Sequence, residues 1–363
     1  MGIKLEDVDK NFKVESTLGL EDVKFHDIRK APFKLYGADP STFEGEEYWR
    51  MAKPISDKYN HLFWHSKCPT GFRVRFKTNS EYVAVKVKIY SEPTVFEVRS
   101  RCCDLYLDYE NVSRFAGRFT PPANEYKEYE SVIHFKNRDE RYFTLNLMNY
   151  EMLGDIKIGL QEDAIVGEGR KYLDIKPILY YGSSITQGGC ASRPGNTYQA
   201  IINRRNNIDY INLGFSGCAK AEPEVMEYIA NREMSVFVYD YDHNAPTPEY
   251  LQETHEKGYK TVREKNPDLP IIFLTKPDFD NNASAYTVWN EGAIKRRTIV
   301  MQTYINAINA GDKNVYFIDG SQFFNINEGD CCVADGCHPT DLGFMKMADV
   351  IGNQIDTIIA RRK

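Results

Sequence analysis

No apolar run in the 363 residues is long enough to cross a bilayer. The opening stretch MGIKLEDVDKN carries acids where a secretory leader needs an apolar segment. Gly2 does not complete a lipidation signal either, because position 6 is Glu rather than Ser or Thr. The expected compartment is therefore the cytoplasm, with no membrane partner. Excess positive charge is also missing: 46 Lys and Arg face 52 Asp and Glu, a net charge of -6. That leaves no basic footprint for nucleic acid. The eight cysteines do not imply a disulfide framework in a chain of this size and compartment, and are read as reduced thiols. Cys331, Cys332 and Cys337 crowd His338, but the paired spacing of a zinc site is lacking and no metal is expected. Internal repeats and low-complexity stretches are absent as well.

The composition that remains is that of a folded chain, 42% hydrophobic and 13% aromatic, with enough apolar surface for a sizeable core. Its length favours two domains. From about Trp49 to Ile165 the apolar residues alternate, as in Phe72, Val74, Phe76, then Val83, Val85, Val87, Ile89, then Phe143, Leu145, Leu147. Lys86 and Lys88 fall on the other face, which is read as solvated. Turn-prone clusters, Cys68-Pro69-Thr70-Gly71 and Pro121-Pro122-Ala123-Asn124, separate the runs. Residues 1–165 are expected to form an antiparallel β-sandwich.

Past the short polar connection Gly167-Glu168-Gly169-Arg170 the pattern changes. Apolar strand-like runs at 178–181, 208–213, 236–241, 271–275 and 315–318 alternate with helix-length segments near 197–205, 223–232, 248–265, 291–310 and 341–359. Residues 171–363 are expected to form an α/β domain with a parallel sheet covered on both faces. Any site should then lie at the carboxyl ends of the strands.

Chemistry-bearing stretches sit at those ends. The segment KPILYYGSSITQGGCASRPGN, residues 176–196, reads as a buried strand, a tight turn at Gly182 and a helix start, which would lift the Ser184 hydroxyl above the sheet edge. The second strand runs into Gly214-Phe215-Ser216-Gly217, where a glycine lets a backbone N–H approach a reacting oxygen. The third runs into Asp242-His243-Asn244-Ala245-Pro246, which offers a side-chain amide. Asp335-Gly336-Cys337-His338-Pro339 supplies a carboxylate three residues before an imidazole. Each has an ordinary structural alternative. Ser184 and Asp335 could cap helices, Gly217 could be a plain turn residue, and Asn244 a satisfied turn amide.

These stretches, in this order, resemble the blocks of the SGNH, or GDSL-like, hydrolase superfamily over residues 176–360. The resemblance implies a flavodoxin-like α/β domain with Ser184 as nucleophile, His338 as general base and Asp335 as its orienting acid. The backbone N–H groups of Ser184 and Gly217 and the Asn244 side chain would form the oxyanion hole. Position 183 is Ser where the family usually has Asp, and Asn244 lies in Asp-His-Asn rather than Gly-x-Asn-Asp. The strings SITQGGCASRPG, NLGFSG, YDHNAP and DGCHPTDLGF are similar to a subgroup whose jelly-roll-like N-terminal sandwich carries a GxDLY motif. Here that motif reads Cys102-Cys103-Asp104-Leu105-Tyr106, with Cys102 in place of glycine. Asp104, Leu105 and Tyr106 are expected to fix the sandwich or its contact with the second domain.

The expected activity is that of a serine esterase removing a short acyl group, acetyl, from carbohydrate, with no cofactor. A thioesterase or lipid esterase using the same residues is the alternative within catalysis. A non-catalytic carbohydrate-binding protein is the alternative outside it. Arg193 and His243 are candidate substrate contacts, against a salt bridge for Arg193 and a structural role for His243. Asp240, Tyr241 and Asp242 add polar groups expected to flank the cleft. No long apolar loop interrupts the second half, which argues against a long acyl chain. Neither the natural acyl donor nor the oligomeric state can be read from the sequence.

Overall fold

The computed structural model describes residues 17–90, 101–122, 127–277, 292–325 and 329–362. Residues 1–16, Ala123 and Asn124 of the second turn cluster, and Glu291 lie outside them. Two antiparallel sheets come first. One orders its strands β1 (Val23–Asp27), β9 (Leu153–Gln161), β4 (Tyr82–Ile89) and β7 (Glu128–His134). The other runs β10 (Val166–Glu168), β3 (Arg73–Thr78), β8 (Arg141–Asn146), β5 (Cys103–Asp108) and β6 (Ser113–Phe119), with β2 (Lys34–Tyr36) also paired to β3. Val83, Val85 and Val87 of the first sheet share one core with Val74, Phe76, Phe143 and Leu145 of the second. On the opposite face of β4, Lys88 is exposed and Lys86 pairs with Glu130 at 2.9 Å.

Between β2 and β3 the chain forms three helices, α1 (Ser41–Glu44), α2 (Lys53–Lys58) and α3 (Asn60–Ser66), the last two within the stretch expected to hold strands. Pro54 occupies the first turn of α2, where a missing N–H costs nothing. Met51 and Leu62 from this insert are 0% and 1% exposed, and they pack in one cluster with Leu179, Leu213 and Phe237. The insert thus covers a face of the second domain's sheet.

That second sheet is parallel, with order β12 (Tyr210–Gly214), β11 (Ile178–Gly182), β13 (Val236–Asp240), β14 (Ile271–Leu274) and β15 (Val315–Ile318). Numbered within this sheet, the order is 2-1-3-4-5, the flavodoxin-like arrangement. Strands β11, β12, β13 and β14 are buried at every residue, which explains their continuous apolar runs. One face packs against Met226, Leu251, Val262 and Val300. These come from α6 (Pro223–Ala230), α7 (Pro248–Lys265) and α8 (Ala293–Asn309), which follow the short α4 (Ser184–Gln187) and α5 (Tyr198–Asn206) along the chain. The other face packs against α5 (Tyr198–Asn206) and, past the short α9 (Gly329–Cys332), the final helix, α10 (Asp341–Ala360), through Ile201, Phe344, Met347 and Ile351. Thr340 caps α10 by accepting from Gly343 N–H. No described helix is long and apolar enough to cross a membrane.

Candidate active site

Gly182 ends β11 in register with Gly214 of β12 and Asp240 of β13. The loops that carry Ser184, Gly217 and Asn244 therefore leave the sheet at one level on its carboxyl edge. Ser184 opens the short helix α4 (Ser184–Gln187), whose N-cap is Ser183, with its hydroxyl accepting from Ile185 N–H at 3.1 Å. As the first helical residue, Ser184 has an N–H that no carbonyl of its helix can accept. The side chain usually replaced by Asp in related sequences is here a helix cap.

Ser184 Oγ lies 2.8 Å from His338 Nε2. His338 Nδ1 lies 2.7 Å from Asp335 Oδ2. The other carboxylate oxygen accepts from the His338 and Cys337 N–H groups at 2.8 and 3.0 Å. Partial burial works to raise the Asp335 pKa, but the His338 N–H, its imidazole and the Cys337 N–H together hold the carboxyl below its ordinary value. Ser184 is 8% exposed. The three polar groups form a continuous chain from hydroxyl to carboxylate.

Gly217 holds φ 66°, a left-handed conformation that favours glycine, and a Cβ there would meet open space. The residue is needed for its backbone, not for room. The Asn244 N–H donates to Tyr241 O at 2.9 Å, and its carboxamide oxygen is buried without a partner among the described residues. His243 Nδ1 sits 2.9 Å from Asp242 Oδ1, while its Nε2 is likewise buried and unpartnered. Asp240, Tyr241 and Asp242 do not flank an open cleft. They are 0%, 0% and 2% exposed, with Asp240 bonded to Thr186 Oγ1 at 2.9 Å, Tyr241 to Thr254 at 2.7 Å and Asp242 to Lys276 N–H at 3.1 Å. The chain stays in the core for two residues beyond the strand.

Of the two roles open to Arg193, the salt bridge is the one formed. Its Nη1 lies 3.0 Å from Asp104 Oδ2 and also bonds Tyr106 OH, and the guanidinium lies 4.1 Å from the Phe115 ring centre. Asp104, fully buried, also accepts from Gly195 N–H at 2.9 Å and Asn146 Nδ2 at 2.8 Å. A Cβ on Gly195 would come within 2.6 Å of Tyr106 and 2.7 Å of the Asp104 carboxylate, so only glycine fits so close an approach. The Asp-Leu-Tyr segment thus clasps the sandwich to the loop after Ser184. From the other side Asp341, at the start of α10, accepts from Ser192 N–H and Asn196 Nδ2, both at 2.8 Å.

Further supports have no local sequence signal, because they join residues of separate elements, most of them across the two domains. Tyr150 OH donates to Ser184 O at 3.0 Å. Gln187 Nε2 donates to Asn149 O at 3.2 Å, while its Oε1 accepts from Ser216 N–H, beside Gly217, at 2.9 Å. Arg50, 1% exposed, donates to Gly214 O at 2.8 Å and Asn212 O at 3.2 Å. Burial lowers its pKa to about 10, which leaves it charged at neutral pH.

The comparisons agree with this architecture. Residues 175–356 match the GDSL-like lipase/acylhydrolase family model, and residues 23–166 match the GxDLY N-terminus of SGNH-hydrolase-type esterases. No curated protein sequence matches the chain. Among solved structures it is similar to a protein from Bacteroides ovatus described as a GDSL-like lipase, with 28% identity and TM-score 0.82 over 93% of this chain and 98% of that one. It also shares its fold with the salicylyl-acyltransferase SsfX3 of a tetracycline biosynthetic pathway, at 17% identity and TM-score 0.72 over 91% and 96%. An acetyl xylan esterase from Butyrivibrio proteoclasticus aligns at 13% identity and TM-score 0.56 over 93% and 99%. With its parallel α/β half matched over residues 175–356, the chain belongs to the GDSL-like lipase/acylhydrolase family.

Proposed function

We propose that the protein is a serine esterase that removes acetyl groups from carbohydrate hydroxyls through Ser184, His338 and Asp335. The observation that carries the reaction is the contact of Ser184 Oγ with His338 Nε2 at 2.8 Å, backed by Asp335 at 2.7 Å from Nδ1. In this reading Ser184 Oγ attacks the ester carbonyl as its proton passes to His338 Nε2. Asp335 fixes the imidazole tautomer and balances its developing charge. The oxyanion would be met by the Ser184 and Gly217 N–H groups and the Asn244 side-chain amide. His338 returns the proton to the departing alcohol, leaving an acyl-enzyme. Water, deprotonated by His338, then releases acetate and restores Ser184.

The acetyl and sugar parts of the reading draw on other support. The acetyl xylan esterase of Butyrivibrio proteoclasticus spans the same two-part fold along nearly its whole length. No long apolar loop is present in the second half of the sequence to house a fatty chain. The test compares kcat/KM for 4-nitrophenyl esters from acetyl to decanoyl with that for acetylated xylo- and manno-oligosaccharides. Preference for acetyl, with release of acetate from the sugars, is expected. Efficiency that climbs with chain length while the sugars stay untouched would replace this reading with a lipid esterase.

A further inference from the structure

We propose that Cys190, His338 and Asp335 form a zinc-binding site that overlaps the acyl-transfer centre and silences it when filled. The inhibitory part rests on the function proposed above, whereas the binding part does not. A thiol sulfur, an imidazole nitrogen and a carboxylate oxygen, one from each residue, all lie within 4.8 Å of one another. Tetrahedral zinc with bonds of about 2.0–2.3 Å holds its ligand atoms roughly 3.3–3.8 Å apart, so about 1.5 Å of side-chain movement closes the set. Asp335 can supply that movement, since its side chain is 47% exposed. Thiolate, imidazole and carboxylate together suit zinc better than magnesium or calcium, which take oxygen ligands. Water can take the fourth position.

The loop that follows the thiol is anchored by two carboxylates. Cys190 lies in the loop that Asp104 fixes at Gly195 and Asp341 fixes at Ser192. Its backbone has φ 67°, a left-handed conformation that disfavours residues other than glycine. A sulfur is therefore carried at a position where glycine would sit with less strain. Cys331, Cys332 and Cys337, closer in sequence to His338, do not join the cluster among the described residues. When zinc binds, the thiol proton leaves to solvent and the imidazole lone pair goes to the metal. His338 can then no longer accept the Ser184 proton, and Asp335 is drawn from its orienting role. Hydrolysis stops until the metal is removed.

The experiment uses the full chain, stripped with EDTA and titrated with zinc chloride against a chromophoric zinc chelator. Wild type should bind one zinc per chain. Cys190→Ser and Cys190→Gly, the second of which suits the left-handed backbone, should each bind at least about tenfold more weakly. Cys331→Ser should bind as wild type does. Cobalt(II) should give a thiolate-to-cobalt charge-transfer band in wild type that both Cys190 variants lack. In parallel, hydrolysis of 4-nitrophenyl acetate, normalised to each protein's own zinc-free rate, should fall at stoichiometric zinc in wild type, return with EDTA, and resist zinc in the Cys190 variants. No stoichiometric zinc binding, or equal affinity in wild type and both Cys190 variants, overturns the site. If zinc-free wild type hydrolyses nothing, the esterase reading fails, while the chelator titration and cobalt band still decide whether the metal site exists.

Discussion

Replacing Asp104 by Ala should unfasten the sandwich from the loop after Ser184. The native carboxylate, 0% exposed, satisfies Gly195 N–H at 2.9 Å, Asn146 Nδ2 at 2.8 Å and Arg193 Nη1 at 3.0 Å. Its removal strands all three donors. Hydrogen bonds to a charged group contribute about 1.5–3 kcal/mol each, but Arg193, with 20% of its side chain exposed, regains some hydration. The appropriate figure is the loss on breaking a buried ion pair from one side, about 3–5 kcal/mol. Asp104→Asn keeps the shape and an oxygen for Gly195 but loses the charge facing Arg193, so about 1–2 kcal/mol is expected. Urea unfolding followed by tryptophan fluorescence and by far-UV circular dichroism measures both variants, and coincidence of the two probes tests whether the domains unfold together. Ester hydrolysis should fall in the same order, because the released loop begins at the nucleophile turn. An Asp104→Ala protein within about 0.5 kcal/mol of wild type would refute the clasp.

Ser184→Ala and His338→Ala should each lower kcat by about three orders of magnitude or more with little change in Tm, because both groups act mainly in the transition state. Asp335→Asn should cost less than loss of the base; steady-state kinetics showing an equal or greater loss would mean the carboxylate holds the loop instead. A chain trimmed to residues 171–363 should be insoluble or inactive on expression, since it loses Met51 and Leu62 from the sheet's cover, and a large apolar side chain removed from a core costs about 2–5 kcal/mol. A soluble, fully active fragment would contradict this. Burial and then the Asp242 charge push the Asp240 carboxyl well above its ordinary value, against the Thr186 bond. A raised folded pKa means that stability is whole below the unfolded value near 3.8 and declines as pH rises toward the folded one. Asp240→Asn should therefore raise Tm at pH 7 and leave it nearly unchanged at pH 3.5, and a gain independent of pH would argue against the assignment.

The parallel half was legible because burial on both faces leaves each strand a continuous apolar run. The helix over Pro248–Lys265 and the strand over Val315–Ile318 fall where the pattern put them. Ser184 and His338, which meet in the structure, could be singled out for a related reason, since each lies next to a strongly patterned element. The helices over 53–66 were not, being short and burying their apolar residues against the other domain. A period read along one segment cannot identify a partner more than a hundred residues away. Tyr150 and Gln187 were hidden even though their partners lie only 29 to 38 residues off, because those partners sit on separate elements that no single period links. Asp240 and Asp242 misled differently, because polarity in a sequence does not tell a carboxyl bonded within a core from one facing a cleft.

The account stands most directly on Ser184 as the nucleophile. Full-length protein treated with a fluorophosphonate and then digested for peptide mass spectrometry should carry one adduct, on Ser184. Ser184→Ala should carry none, and His338→Ala should label far more slowly, because the hydroxyl loses the base at 2.8 Å. An adduct on another residue, or 4-nitrophenyl acetate hydrolysis by Ser184→Ala at the wild-type rate, would contradict the central claim.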